Sequence, residues 1–288
     1  MSVDFLEALP RFAFLQHALL AGVLAGVACG VVGSFVVVRR ITSIAGAIAH
    51  CVLAGLGAAR WLQVVHGQAW ASPMLGAVAA ALTAAVLIGV ISLRAKERED
   101  TLIGALWAVG MAVGILFIAR TPGYDQDLMS YLFGNILLVR GSDLWLMLVL
   151  DVVVVVICIA LYPQLQAVCF DEEFARLRGL HVELYYLLLL GLTALTVVLL
   201  VTVVGIVLVI ALLTLPAAIA GQLTSTLRGM MAGAAALSIA FTITGLAASY
   251  GPDLPAGATT IVLAGLAYLA VLGGRRLLLH WKPAVRER

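Results

Sequence analysis

Two ionisable side chains stand where lipid-like sequence surrounds them. His50 lies in Ile48-Ala-His-Cys-Val-Leu, and Asp151 lies in Leu148-Val-Leu-Asp-Val-Val-Val. A charge at the centre of an apolar span costs at least ~2.5 kcal/mol, so each side chain needs a use or a partner. Neutral imidazole is a good ligand for zinc, iron and manganese to differing degrees. A histidine bonding a neighbouring carbonyl in a packed bundle is the simpler alternative. Ala45, Gly46, Ala47 and Ala49 are small and should leave room beside His50 for an ion or for a ligand-bearing side chain from another helix. Cys51 follows His50 directly, about 100° around a helix, and does not easily reach the same ion. Asp151 should face protein, a cavity or a partner chain; as a metal ligand it competes with two readings, a protonated acid or a packing contact between copies.

A third group is polar. Residues 169–182 read Cys-Phe-Asp-Glu-Glu-Phe-Ala-Arg-Leu-Arg-Gly-Leu-His-Val. Phe170, Phe174 and Leu177, spaced by four and three, would share one face of a helix. Asp171, Glu172 and Glu173 suit its N-terminal turn, Arg176 and Arg178 its end, and Gly179 its C-cap. The spacing predicts a short amphipathic helix over about 170–179. Such a helix could lie on lipid, but an acidic first turn is unfavourable at an anionic leaflet. Docking into a cleft of a cytoplasmic partner fits better.

These groups must be positioned by membrane helices. The 288 residues are 64% hydrophobic and 11% charged, with a mean hydropathy of +1.14. That is too apolar for a soluble chain of this length. A helix crossing the bilayer needs about 20 apolar residues. The spans read 12–38, 43–62, 73–94, 101–119, 144–163, 183–204, 206–222, 227–250 and 257–274. The fold class is therefore all-α: a polytopic integral membrane bundle of about nine helices. Eight is possible if 183–222 runs through Gly205. A stretch at 128–139 with Phe133, Gly134 and Asn135 reads as interfacial or re-entrant. Small residues recur in the first span (Gly22, Gly26, Gly30, Gly33) and the fourth (Gly104, Gly110, Gly114), and let helices approach closely. The spans leave no room for a nucleotide-binding or soluble catalytic domain.

Of the 17 Lys and Arg, all but Arg11, Arg60, Arg120 and Arg140 fall on one side of these spans. With that side inside, the N-terminus is outside and the C-terminus cytoplasmic. Trp61, Trp70, Tyr124 and Trp145 then fall near the outer interface. The first apolar segment is too long for a removed signal peptide. Cys29, Cys51, Cys158 and Cys169 lack CxxC spacing and read as small hydrophobes. No HExxH, GxSxG or pair of aspartates on facing spans supports an intramembrane enzyme. A gradient-driven cation carrier or channel is one reading of such a bundle; it would need more intramembrane carboxylates and no docking helix.

Taken in order, several segments resemble the permease subunits of bacterial ABC transporters for zinc, manganese and iron (the ABC-3 type metal importers). They are Gly33 to Arg40, Ile48 to Gly55, Arg98 to Thr101, Asp127 to Leu137, Phe170 to Ala175, Gly205 to Ala220 with Leu215-Pro-Ala-Ala, and Asp253 to Gly257. The resemblance implies a homodimer in the bacterial inner membrane and a divalent metal ion as transported substrate, with no permanently bound cofactor and no nucleic acid. It implies a separate ATPase subunit engaging Phe170, Asp171, Glu172, Phe174, Ala175, Arg178 and Gly179, and an extracytoplasmic protein that delivers the metal. It also implies a ligand at His50. Many members carry Asp four residues before this His; here the position is Gly46. Asp127 and Asp253 lie at the outer ends, where the metal would arrive; Asp125 reads equally well as solvated, and Asp253 also as a cap on the last span.

Overall fold

The computed structural model describes residues 5–94, 99–122, 134, 139, 141–252 and 254–281. Without water to satisfy the backbone in hydrocarbon, long apolar segments close their hydrogen bonds within themselves and become helices. The long apolar segments among the described residues do so. After a turn of helix α1 (Phe5–Ala8) come α2 (Ala13–Val38), α3 (Thr42–Val65), α4 (Pro73–Arg94) and α5 (Glu99–Ala119). Then follow α6 (Gly141–Ala160), α7 (Tyr162–Phe170), α8 (Glu172–Leu177), α9 (Val182–Val204), α10 (Ile206–Leu223), α11 (Leu227–Tyr250) and α12 (Ala256–Trp281). Among the described residues nine helices are long and apolar enough to cross a membrane.

The choice between eight and nine spans is made at Gly205. Its backbone, at φ +84° and ψ 159°, lies where essentially only glycine goes, and it serves as both the end of α9 and the start of α10. Asp127, Asp253 and Asp125 lie outside the described residues, as does most of 128–139.

Most boundaries shift by a few residues, the last helix running on to Trp281 rather than 274, and two of the shifts have a local cause. The fifth span ends at Ala160, not 163, and a separate helix α7 follows. Pro163 sits in the first turn of α7, where its missing N–H is harmless; within a continuous helix it would remove a bond to the preceding turn. The polar helix is also shorter than 170–179. Asp171 is extended (φ −152°, ψ 101°), so Phe170 closes α7 and only Glu172–Leu177 form α8.

α2, α3 and α9 form the interior. α2 packs on α11 and α10, α3 on α5 and α4, and α9 on α4. The first-span glycines make this possible. A Cβ at Gly22 would lie 2.5 Å from Thr242 Cγ2, and one at Gly26 would lie 2.5 Å from Ile239 Cγ1, both on α11. Gly30 meets the Ala235 backbone on the same helix. The four cysteines are free and buried, as small hydrophobes should be. Burial pushes the thiol of Cys169, on α7, up to about 11.

Candidate functional site

α3 starts at Thr42, and His50 follows two turns later, buried. Its Nδ1 lies 2.9 Å from the Gly46 carbonyl one turn back. A carbonyl only accepts, so a neutral ring must carry its proton on Nδ1, which leaves the Nε2 lone pair for a ligand. Imidazoles that hold metals are commonly oriented by such a bond.

The room expected beside His50 is occupied. The Trp107 indole of α5 stacks on the imidazole, ring centroids 4.3 Å apart and planes 28° from parallel. A Cβ at Gly46 would lie 2.5 Å from Trp107 Cζ3 and 2.9 Å from Cη2. The missing carboxylate and the indole are thus alternatives for one volume. Cys51 points elsewhere, its Sγ 3.5 Å from the Leu106 carbonyl. Trp107 belongs to no motif that the sequence displays. The one signal it gives is its mid-span position, away from the interfaces where tryptophan usually sits.

Asp151 is on α6, which packs against α2 and α9. It is 4% exposed, and neither carboxylate oxygen has a hydrogen-bond partner among the described residues. Cys29 of α2 lies within electrostatic reach of it. α3 packs chiefly on α5 and α4, and α6 on α2 and α9, so His50 and Asp151 stand in different packing surroundings. Among the described residues no group of three or more His, Cys, Asp or Glu could hold a metal.

The polar helix α8 is built by local rules. Asp171 caps it, its carboxylate accepting from the Phe174 N–H at 2.9 Å. At the other end Gly179 (φ +77°) allows the Leu180 N–H to reach Ala175 O at 3.1 Å and the Gly179 N–H to reach Arg176 O at 2.9 Å. Ala175 is fully buried and packs with Val168 of α7 and Val182 of α9 in a small core. Phe174 and Leu177 face outward, 46% and 88% exposed. The Arg178 guanidinium lies 4.9 Å from the Phe174 ring centroid. Phe170 is exposed too, but on α7. It lines a groove of about 560 Å³ with Tyr162, Gln166 and the 225–228 turn, so it does not share the face of Phe174.

The end of the bundle bearing α8 also carries Arg39 and Arg228. Arg39 forms an ion pair with Glu172, and Arg228 lies 4.9 Å from the Tyr162 ring centroid. Apolar side chains turned outward among these charges mark a contact surface better than a lipid face.

Known proteins resemble this chain along most of its length. The family described as ABC 3 transport family is matched over residues 11–274. An uncharacterized membrane protein of Synechocystis sp. is 41% identical over 278 residues, 96% of each chain. A probable metal transport system membrane protein of Chlamydia pneumoniae is 42% identical, covering 90% of this chain and 88% of that one. The manganese transport system membrane protein MntC of Halalkalibacterium halodurans is 37% identical, covering 90% and 87%. Among solved structures, PsaBC from Streptococcus pneumoniae in complex with Fab superposes with a TM-score of 0.82 at 30% identity, over 93% of this chain and 94% of that one.

Proposed function

Since this chain belongs to the ABC 3 transport family, we propose that it is the membrane permease of an ATP-driven importer of a divalent metal ion. Manganese is the first candidate, because relatives of high coverage are named for its transport; zinc and iron are the others. The chain itself hydrolyses nothing. A separate ATPase docks on α8 from the cytoplasm, an extracytoplasmic protein delivers the metal, and a second copy of the chain completes the path. The whole chain acts as one transmembrane domain, its basic end inward.

The observation that carries the metal reading is the oriented imidazole of His50. Its Nδ1–H is spent on Gly46 O, and Nε2 is left as a soft-to-borderline donor inside a span. A single protein ligand holds a dication weakly. Weak holding suits a site of transit, which must release its ion. The observation that carries the docking reading is α8 itself, with a buried Ala175 and an outward Phe174. Asp151 serves the same transport from a separate position between α6, α2 and α9, as a second polar station or as a contact completed by the other copy. The acidic residues at 127 and 253 draw dications toward the outer mouth.

Uptake of manganese, zinc and iron by liposomes holding this chain and its ATPase subunit, supplied with the metal-delivering protein, tests the reading. ATP-dependent entry of at least one of the three is expected. Entry driven by an ion gradient without ATP would replace the proposal by a carrier.

A further inference from the structure

The contacts around Arg39 join two parts of the molecule that lie far apart in sequence. Arg39 is the C-cap of α2. Its guanidinium pairs with Glu172, the first residue of α8. It also donates to the Val168 carbonyl of α7 at 3.4 Å and lies 5.4 Å from the centroid of the Tyr186 ring on α9. Cys169 lies within its electrostatic reach. One side chain therefore meets α7, α8 and α9 at once.

The turn that carries Arg39 is tight and specific. Arg40 adopts φ +62°, the left-handed region that side-chain-bearing residues rarely enter. The Ile41 N–H then reaches Val36 O at 3.0 Å, and the Arg40 N–H reaches Val37 O at 3.1 Å. This is the double bond pattern that closes a helix on a left-handed residue. α3 begins at Thr42, and His50 lies about 12 Å along it at 1.5 Å per residue. The tie at Glu172 is thus made beside the tight turn that joins α2 to α3, not to a free loop.

We propose that Arg39 is a positioning residue that couples α8 to the α2–α3 turn, so that movement of the docked helix is passed to the span bearing His50. The proposal rests on the reading of α8 as the ATPase-docking helix. An ion pair this exposed, with side chains 23% and 38% accessible, adds little to stability. Its value is geometric. The planar guanidinium fixes direction toward a carboxylate, a carbonyl and a ring together, which a lysine ammonium does not. Ala175 and its small core hold α8 against α7 and α9, and Arg39 extends that rigid unit to α2.

The experiment uses the whole transporter in liposomes and measures metal uptake and ATP hydrolysis in the same vesicles. Glu172→Gln removes the ion pair and leaves the other contacts of Arg39. Arg39→Gln removes the charge and the reach that make them together. Because Glu172 also lies on the docking helix, uptake per ATP is read only from transporter that has assembled with the ATPase, and in each variant it is expected to fall at least tenfold. Arg39→Glu combined with Glu172→Arg is expected to regain at least a third of the parent ratio. A parent-like ratio in Glu172→Gln overturns the proposal, as does an exchanged pair no better than the single variants. Should Arg39→Gln fail to assemble, the exchanged pair set against Glu172→Arg alone decides, since exchange does not restore a lost docking contact. Phe174→Asp is run alongside: if it too couples normally, the docking reading has failed, and not merely the tie.

Discussion

The imidazole of His50 lies against the indole of Trp107, centroids 4.3 Å apart and planes 28° from parallel. The contact is made where α3 could have carried a second ligand on the same face, because Gly46 sits one turn before His50 beneath the indole. In this chain an aromatic ring takes the volume of a carboxylate beside the histidine proposed to meet the metal. The ring holds the imidazole in one orientation without supplying charge.

Supplying the carboxylate alone should therefore fail. Gly46→Asp drives a side chain into Trp107 and is expected to destabilise by about 1–3 kcal/mol, as overpacking does. Gly46→Asp with Trp107→Ala has the volume for both ligands. It should bind manganese more tightly than the parent, since carboxylate suits harder ions. Thermal unfolding in detergent and manganese titration check the two halves. An unshifted unfolding midpoint in Gly46→Asp would show that the indole is not in the way.

Gly205 offers a test of the nine-span architecture. Its φ of +84° with ψ 159° strains any other residue. Gly205→Ala should cost about 1–3 kcal/mol. A variant that unfolds at the parent temperature would mean that α9 and α10 are not broken there.

Much of the fold is legible in the sequence, for a physical reason. Hydrocarbon demands about 20 apolar residues per crossing, so span lengths are written in composition. The break at Gly205 is visible because glycine interrupts an otherwise continuous apolar run. The cap of α8 is visible for a similar reason: Asp171 and Gly179 act on their own neighbours. Phe170 misleads, because its spacing from Phe174 fits one helical face while the extended Asp171 between them breaks the register. The stack on Trp107 and the pair between Arg39 and Glu172 depend on which helices meet, and one sequence does not record that. The expected room around His50 fails for the same reason: small residues on α3 invite α5 to come close and fill it.

Phe174 is the exposed apolar knob of α8, and Phe174→Asp puts a charge where a docked partner would exclude water. The membrane fold should be unaffected, since the ring is 46% exposed and the buried contact is made by Ala175. ATPase binding, measured by co-purification, and uptake should both fall at least tenfold. Normal binding and uptake would remove the docking assignment from α8.

Asp151 makes an opposed pair of predictions. Both its oxygens are buried without hydrogen-bond partners among the described residues, so Asp151→Leu should stabilise the isolated chain, by about 1–3 kcal/mol. The same variant should reduce uptake if the carboxyl serves the path or the second copy, and Asp151→Asn should reduce it less. Unfolding in detergent and uptake in liposomes separate the two effects. Full activity in Asp151→Leu would make the residue a packing accident.

The central claim is that the metal passes by His50. It is tested by ATP-dependent manganese uptake into liposomes holding the purified transporter with His50→Ala. Trp107 and the Gly46 carbonyl remain, so the chain should express, assemble with its ATPase and hydrolyse ATP as before. Uptake is predicted to fall to the level of empty vesicles. Uptake equal to that of the parent, for manganese and likewise for zinc and iron, would contradict the account.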